Sequence, residues 1–148
     1  MPLTIVVVDD SAEYRDLVRY LLAALSDTMI IVGEAADGEE ALALVRRERP
    51  EIVITDLVMP RLDGVALTRR IRQELPDTKI ILMSSHPEDA YRLMASDSGA
   101  DAFVSKRVIS DTLVPAIRDV IRRRLSGGSG PLPPGAGASS APAAAPKG

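Results

Sequence analysis

Several side chains able to do polar chemistry stand directly after apolar runs. Asp9 and Asp10 follow Ile5-Val6-Val7-Val8, and Asp56 follows Ile52-Val53-Ile54-Thr55. Ser84 and Ser85 follow Ile80-Ile81-Leu82-Met83, and Lys106 comes two residues after Ala102-Phe103-Val104. Brought together, these groups make three carboxylates, two hydroxyls and one ammonium. Two carboxylates about 4 Å apart repel by roughly 4 kcal/mol at an effective dielectric near 20. A third worsens the repulsion, and one lysine cannot neutralise it. A hard divalent cation can, and all-oxygen ligands with retained water suit Mg²⁺. With no Cys and a single His, zinc is poorly provided for. Each residue alone has a blander reading. An Asp after a strand is commonly a helix N-cap, and Asp10 is placed to cap a following helix. Ser84 alone reads as a turn hydroxyl, and Lys106 alone as a solvated charge. Their joint occurrence is what points to a site.

The elements that must position these groups are legible from periodicity. Five short β-branched or apolar runs, at 5–8, 30–32, 52–54, 80–83 and 102–104, are the strand candidates. Four are continuously apolar, as expected for strands covered on both faces. Between them apolar residues recur at helical spacing: Tyr14, Leu17, Val18, Leu21, Leu22 and Leu25 form one stripe, Ala41, Leu42, Leu44 and Val45 a second. Leu67, Ile71 and Leu75 form a third, and Leu113, Val114, Ile117, Val120 and Ile121 mark a last helix. Asp37, three residues before Glu40, has capping-box spacing. Pro87 reads as the start of a fourth helix, Gly99 as its end, and Ser110 as the cap of the fifth, with Pro115 near its first turn. Gly33, Gly38, Gly64 and Gly99 read as element boundaries. Five strand–helix units in series imply an α/β fold with a doubly wound five-stranded parallel sheet and five helices. Such sheets bind ligands beyond the carboxyl ends of their strands, where the groups above would meet.

Composition bounds the reading. Of 148 residues, Ser126–Gly148 hold 6 of the 10 Gly, 5 of the 11 Pro and one charge, Lys147. Such a segment cannot bury enough apolar surface to offset its ordering entropy, so 126–148 reads as a flexible tail. Residues 1–125 carry a net charge of −4, which argues against a clustered basic face for direct nucleic-acid binding. Arg122-Arg123-Arg124 reads as a solvated helix C-terminus favoured by the helix dipole. Without Trp and with one Phe, aromatic platforms for single-stranded nucleic acid are lacking. No apolar run approaches membrane-spanning length, and the absence of Cys fits a reducing cytoplasm.

Four segments carry a family resemblance: Val6-Val7-Val8-Asp9-Asp10-Ser11, Thr55-Asp56-Leu57-Val58-Met59-Pro60, Leu62-Asp63-Gly64, and Gly99-Ala100-Asp101-Ala102-Phe103-Val104-Ser105-Lys106. Together they resemble the receiver domain of two-component response regulators, over residues 3 to about 124, most closely the NarL/LuxR type. The resemblance implies a flavodoxin-like, CheY-like sheet of order 2-1-3-4-5, with residues 1–125 as the receiver. It implies that Asp56 is the phosphoacceptor, taking a phosphoryl group from a histidine kinase or phosphotransfer protein. Mg²⁺ would be held by Asp10, Asp56 and the backbone carbonyl of Val58, with Asp9 helping through water. Lys106 would pair with the phosphoryl oxygens and Ser84 would hydrogen-bond the new group. Phe103 would then turn inward as the switch residue.

The family commonly has Pro, with a cis bond, after the lysine; here Arg107 follows, as in many NarL-type receivers. Val58 and His86 stand where the family varies to set the dephosphorylation rate. An apolar Val58 cannot position water, which implies a longer-lived phosphoryl state; His86 reads as a surface residue at a helix start. The expected output is phosphorylation-dependent protein contact with a downstream target, including a possible homodimer through the face of helix four, strand five and helix five. A receiver of this kind is not an enzyme beyond single-turnover phosphorylation and dephosphorylation. Three alternatives carry less weight. One is a receiver fragment of a longer DNA-binding transcription regulator. Another is a Mg²⁺-dependent aspartyl-phosphate phosphohydrolase, which would need an acid at Val58 and a cap segment. A flavin protein would need aromatics that are absent.

Overall fold

The computed structural model describes residues 2–86 and 99–125. Strands β1 (Leu3–Val8), β2 (Met29–Ala35), β3 (Ile52–Asp56), β4 (Lys79–Ser84) and β5 (Ala102–Ser105) alternate with helices α1 (Ala12–Ala23), α2 (Gly38–Glu48) and α3 (Gly64–Glu74). A 3₁₀ turn over Lys106–Val108 leads into the last helix, α4 (Ile109–Leu125). The strands form one parallel sheet in the order β2-β1-β3-β4-β5. The expected helix starting at Pro87 lies outside the described residues, as does the expected tail at 126–148.

Side chains alternate along each strand, so the continuous apolar runs feed two cores. Val6, Val8, Val53, Ile80 and Leu82 pack on one face with Ala41, Val45, Leu67 and Ile71 from α2 and α3. Ile5, Val7, Ile52, Ile54, Ile81 and Met83 pack on the other with Val18 and Leu22 of α1 and Leu113, Ile117 and Val120 of α4. Burying a side chain of this size is worth about 1.5–3 kcal/mol, so the two cores are what hold the strand ends in register.

Local sequence sets where the helices begin. Ser11 caps α1 by accepting the N–H of Tyr14 at 3.1 Å. Asp37 caps α2 by accepting the N–H of Glu40 at 2.8 Å, while Glu40 Oε1 reaches back to the N–H of Ala36. Asp63 caps α3 by accepting the N–H of Ala66 at 2.9 Å. Three expectations are corrected. Ser110 lies inside α4 and caps nothing; Ser105 does the capping, accepting the N–H of Arg107 at 3.2 Å at the 3₁₀ turn. Because the helix starts earlier, Pro115 sits in its second turn, where the missing N–H leaves the Asp111 carbonyl without its usual donor. Gly33 is interior to β2 rather than at its edge. It follows a bulge, since Ile5 pairs with Ile31 but Val6 with Gly33, and a Cβ there would meet the Leu44 side chain at 2.8 Å.

Among the described residues, no helix is long and apolar enough to cross a membrane.

Candidate functional site

The carboxyl ends of β1, β3, β4 and β5 converge on one edge of the sheet. Asp9 continues β1, its N–H bonding the Ala35 carbonyl at 3.0 Å. Because Ser11 serves as the helix cap, Asp10 is not needed there, and its carboxylate is exposed beside the site. This removes the capping alternative for Asp10. Asp56 is the last residue of β3 and is buried. Ligand oxygens of Asp9, Asp10 and Asp56 lie within 4.8 Å of one another.

Lys106, at the start of the 3₁₀ turn, supplies the ammonium. Its Nζ lies 2.6 Å from Asp9 Oδ2 and 3.3 Å from Asp56 Oδ2. One cation thus faces two buried anions, with a third carboxylate alongside. Burial pushes the Asp56 carboxyl above its ordinary value. The Lys106 charge opposes that shift, the Asp9 charge adds to it, and hydrogen bonds from Lys106 and the Val58 backbone N–H oppose it again. Asp9 Oδ2 is buried and receives no hydrogen bond among the described residues, only the ionic contact with Lys106. The donor set fits a hard cation: clustered carboxylate oxygens, one of them short of a donor, at the open end of a sheet.

The loop after β3 is folded tightly back under Asp56. Gly64 N–H bonds the Leu57 carbonyl at 2.8 Å. A Cβ on Gly64 would overlap the Asp56 carbonyl and stand 2.8 Å from Leu57 Cα, so only glycine admits this turn. Gly38 similarly makes room for the Leu62 carbonyl, and Arg61 ties the loop to Asp37 at 2.8 Å. Val58 projects outward, 51% exposed, at the rim of the site.

Ser84 ends β4 opposite Ser105 in register and is buried. Its hydroxyl accepts the His86 N–H at 2.9 Å and lies 3.4 Å from the His86 carbonyl, folded onto its own turn. Phe103 packs, partly buried, against the core shared with α2 and α3. The structure therefore brings Asp9, Asp10, Asp56 and Lys106 together, with Ser84 at the neighbouring strand end and Phe103 on the adjoining strand. The Lys106–Arg107 peptide is trans, as is every peptide bond among the described residues.

Two participants escaped the reading of the sequence. Tyr14 registered there only as part of an apolar stripe. Its ring centroid lies 4.1 Å from Lys106 Nζ, and its hydroxyl 3.4 Å from the Lys106 carbonyl oxygen. Burial raises the Tyr14 pKa, and the Asp9 and Asp56 charges raise it further, so the hydroxyl stays protonated. Arg15, one residue on, donates to the Asp9 carbonyl and pairs with Glu34 at 3.2 Å, bracing α1 against β2. A Tyr four residues after an acidic pair and an Arg beside it were the available signals.

Comparison with known proteins decides the family. The family model described as the response regulator receiver domain matches residues 5–118. The chain belongs to this family. The receiver is 32% identical over 116 residues to the transcriptional regulatory protein DegU of Brevibacillus brevis, covering 78% of this chain and 49% of that protein. It is 31% identical over 118 residues to the response regulator VraR of Staphylococcus saprophyticus, covering 80% of this chain and 56% of that one. The chain thus spans about half the length of the curated relatives it matches. Among solved structures, the receiver resembles a LuxR-family two-component response regulator from Aurantimonas sp. SI85-9A1, with TM-score 0.77, 33% identity, and coverage of 87% of this chain and 89% of that one. It also resembles the signal receiver domain of the response regulator NarL from Mycobacterium tuberculosis, with TM-score 0.76, 32% identity, and coverage of 82% and 97%.

Proposed function

We propose that this receiver accepts one phosphoryl group on Asp56 from the phosphohistidine of a histidine kinase or phosphotransfer protein. The observation that carries the reading is the Lys106 ammonium in contact with both Asp9 and Asp56, with Asp10 beside them. A carboxylate oxygen of Asp56 attacks phosphorus; the new O–P bond forms as the P–N bond breaks, and the electron pair leaves on the imidazole nitrogen. Lys106 follows the phosphoryl oxygens and offsets their charge. Asp9, Asp10, Asp56 and the Val58 carbonyl are the groups to hold Mg²⁺, which supplies further charge neutralisation when bound. The Ser84 hydroxyl exchanges its His86 partner for the phosphoryl group, and Phe103 responds as the switch. An apolar Val58 at the rim does not orient water, which favours a long-lived acyl phosphate. Turnover is limited to this single phosphorylation and its hydrolysis, so the protein acts as a switch rather than an enzyme.

Its output is a phosphorylation-dependent contact with a downstream protein in the cytoplasm, including self-association through the face that β5 and α4 present. With Mg²⁺ and acetyl phosphate, intact mass spectrometry should show one added phosphoryl. Asp56→Ala should remove it, and a labelled alanine variant would overturn the assignment.

A second reading is favoured by the half-length coverage of DegU, a transcriptional regulatory protein. In that reading the receiver controls a following DNA-binding module. The length of the native polypeptide, measured by immunoblot of its source cells, separates the two.

A further inference from the structure

We propose that Tyr14 is a positioning residue for Lys106, holding the ammonium in contact with both Asp9 and Asp56. This rests on the phosphoryl-transfer reading above. Ser11 fixes the first turn of α1 by accepting the Tyr14 N–H at 3.1 Å, which sets where the Tyr14 side chain starts. The ring then meets Lys106 at both ends. Its face lies 4.1 Å from Nζ, within cation–π range, and its hydroxyl is a long 3.4 Å from the Lys106 carbonyl oxygen.

Lysine has a flexible four-carbon stem, so two carboxylates alone leave the stem several ways to reach them. An aromatic wall on one side removes most of these. When Asp56 gains a phosphoryl group, Lys106 has to shift its weight from Asp9 toward the new oxygens. The ring confines that movement to a short slide across its face. A role in packing alone would be different, since Tyr14 also belongs to the apolar stripe against the α1 and α4 core. In that case any apolar side chain of similar size would serve.

The test compares Tyr14→Phe, which keeps the ring, with Tyr14→Leu, which keeps only apolar bulk. The labelling rate with acetyl phosphate and Mg²⁺ should fall about twofold for Phe and about tenfold for Leu. In a Lys106→Ala background Tyr14→Leu should cause no further loss, because the group it positions is gone. Independently of labelling, the Lys106 Hε resonances should show an upfield ring-current shift in the wild type and Tyr14→Phe, and lose it in Tyr14→Leu. Should Tyr14→Leu fail to fold, Tyr14→Met replaces it, being flexible and apolar without a π face.

A wild-type rate in the Leu or Met variant overturns the proposal. So does an equal loss of rate with and without Lys106. A wild type that never labels, yet shows the ring-current shift, overturns the phosphoryl-transfer reading and the proposal with it. Normal labelling with no Tyr14 dependence overturns the proposal alone.

Discussion

Lys106 Nζ sits closer to Asp9, at 2.6 Å, than to Asp56, at 3.3 Å. The cation is held more tightly by Asp9, and Asp56 Oδ2 is the looser of its two contacts. Breaking a largely buried ion pair by removing one partner leaves uncompensated charge. Lys106→Ala should therefore destabilise the metal-free protein by about 2–4 kcal/mol. Mg²⁺ should restore more stability in the variant than in the wild type. Urea unfolding with and without MgCl₂ measures both, and equal midpoints for variant and wild type would contradict the account.

Asp56 carries the opposite sign. Its folded pKa is raised, chiefly by burial, so its charge opposes folding at neutral pH. The cost is full above the raised folded value, shrinks as pH falls through it, and is gone below the unfolded carboxylate value near 3.8. Asp56→Asn should accordingly raise the thermal midpoint at pH 7 without metal, and lose that advantage by about pH 3.5. A lower midpoint at pH 7 would rule this out.

Gly64 and Gly33 should respond differently to alanine. At Gly64 the new Cβ meets the backbone of Asp56 and Leu57, which cannot yield without moving the Asp56 carboxylate. A loss of about 2–4 kcal/mol is expected, together with slower labelling by acetyl phosphate. At Gly33 the obstacle is the Leu44 side chain, which can rotate, so about 1 kcal/mol and unchanged labelling are expected. Chemical denaturation ranks the two variants; the reverse order would refute the packing argument.

Far from the site, at the amino ends of β4 and β5, a buried polar cluster closes the sheet. Asp101 accepts the Ile80 N–H at 2.8 Å and pairs with Arg72 at 2.7 Å, with Lys79 Nζ 3.9 Å away. Arg72 also bonds the Thr78 and Gly99 carbonyls, at 2.7 and 2.8 Å. Lys79 is only 4% exposed. Asp101→Ala leaves Lys79 and Arg72 without their shared anion and should cost about 3–5 kcal/mol. Arg47→Ala, which removes an exposed pair with Glu48, should cost less than about 0.5 kcal/mol. Similar losses in the two would show that the cluster is not the anchor described.

Much of this protein was legible in its residues alone. Continuous apolar runs separated by 3.6-residue stripes specify buried parallel strands covered by helices, because each pattern needs an apolar partner to bury it. The acids, hydroxyl and lysine at the run ends specify a polar site, because parallel strands all finish at the same edge. Local signals were less secure where two residues compete for one role. Ser11 rather than Asp10 took the first cap, and Ser105 rather than Ser110 served the last turn, since capping depends on where the preceding strand delivers the chain. What only the tertiary structure decided are contacts between elements distant in sequence. Tyr14 meets Lys106 across 92 residues, Gly64 fits beneath the Asp56 carbonyl, and Asp101 gathers Arg72 and Lys79. Periodicity marks which side of a helix is apolar, but not which neighbour that side meets. Three-dimensional packing decides that, and it is packing that places the Tyr14 ring against the Lys106 ammonium.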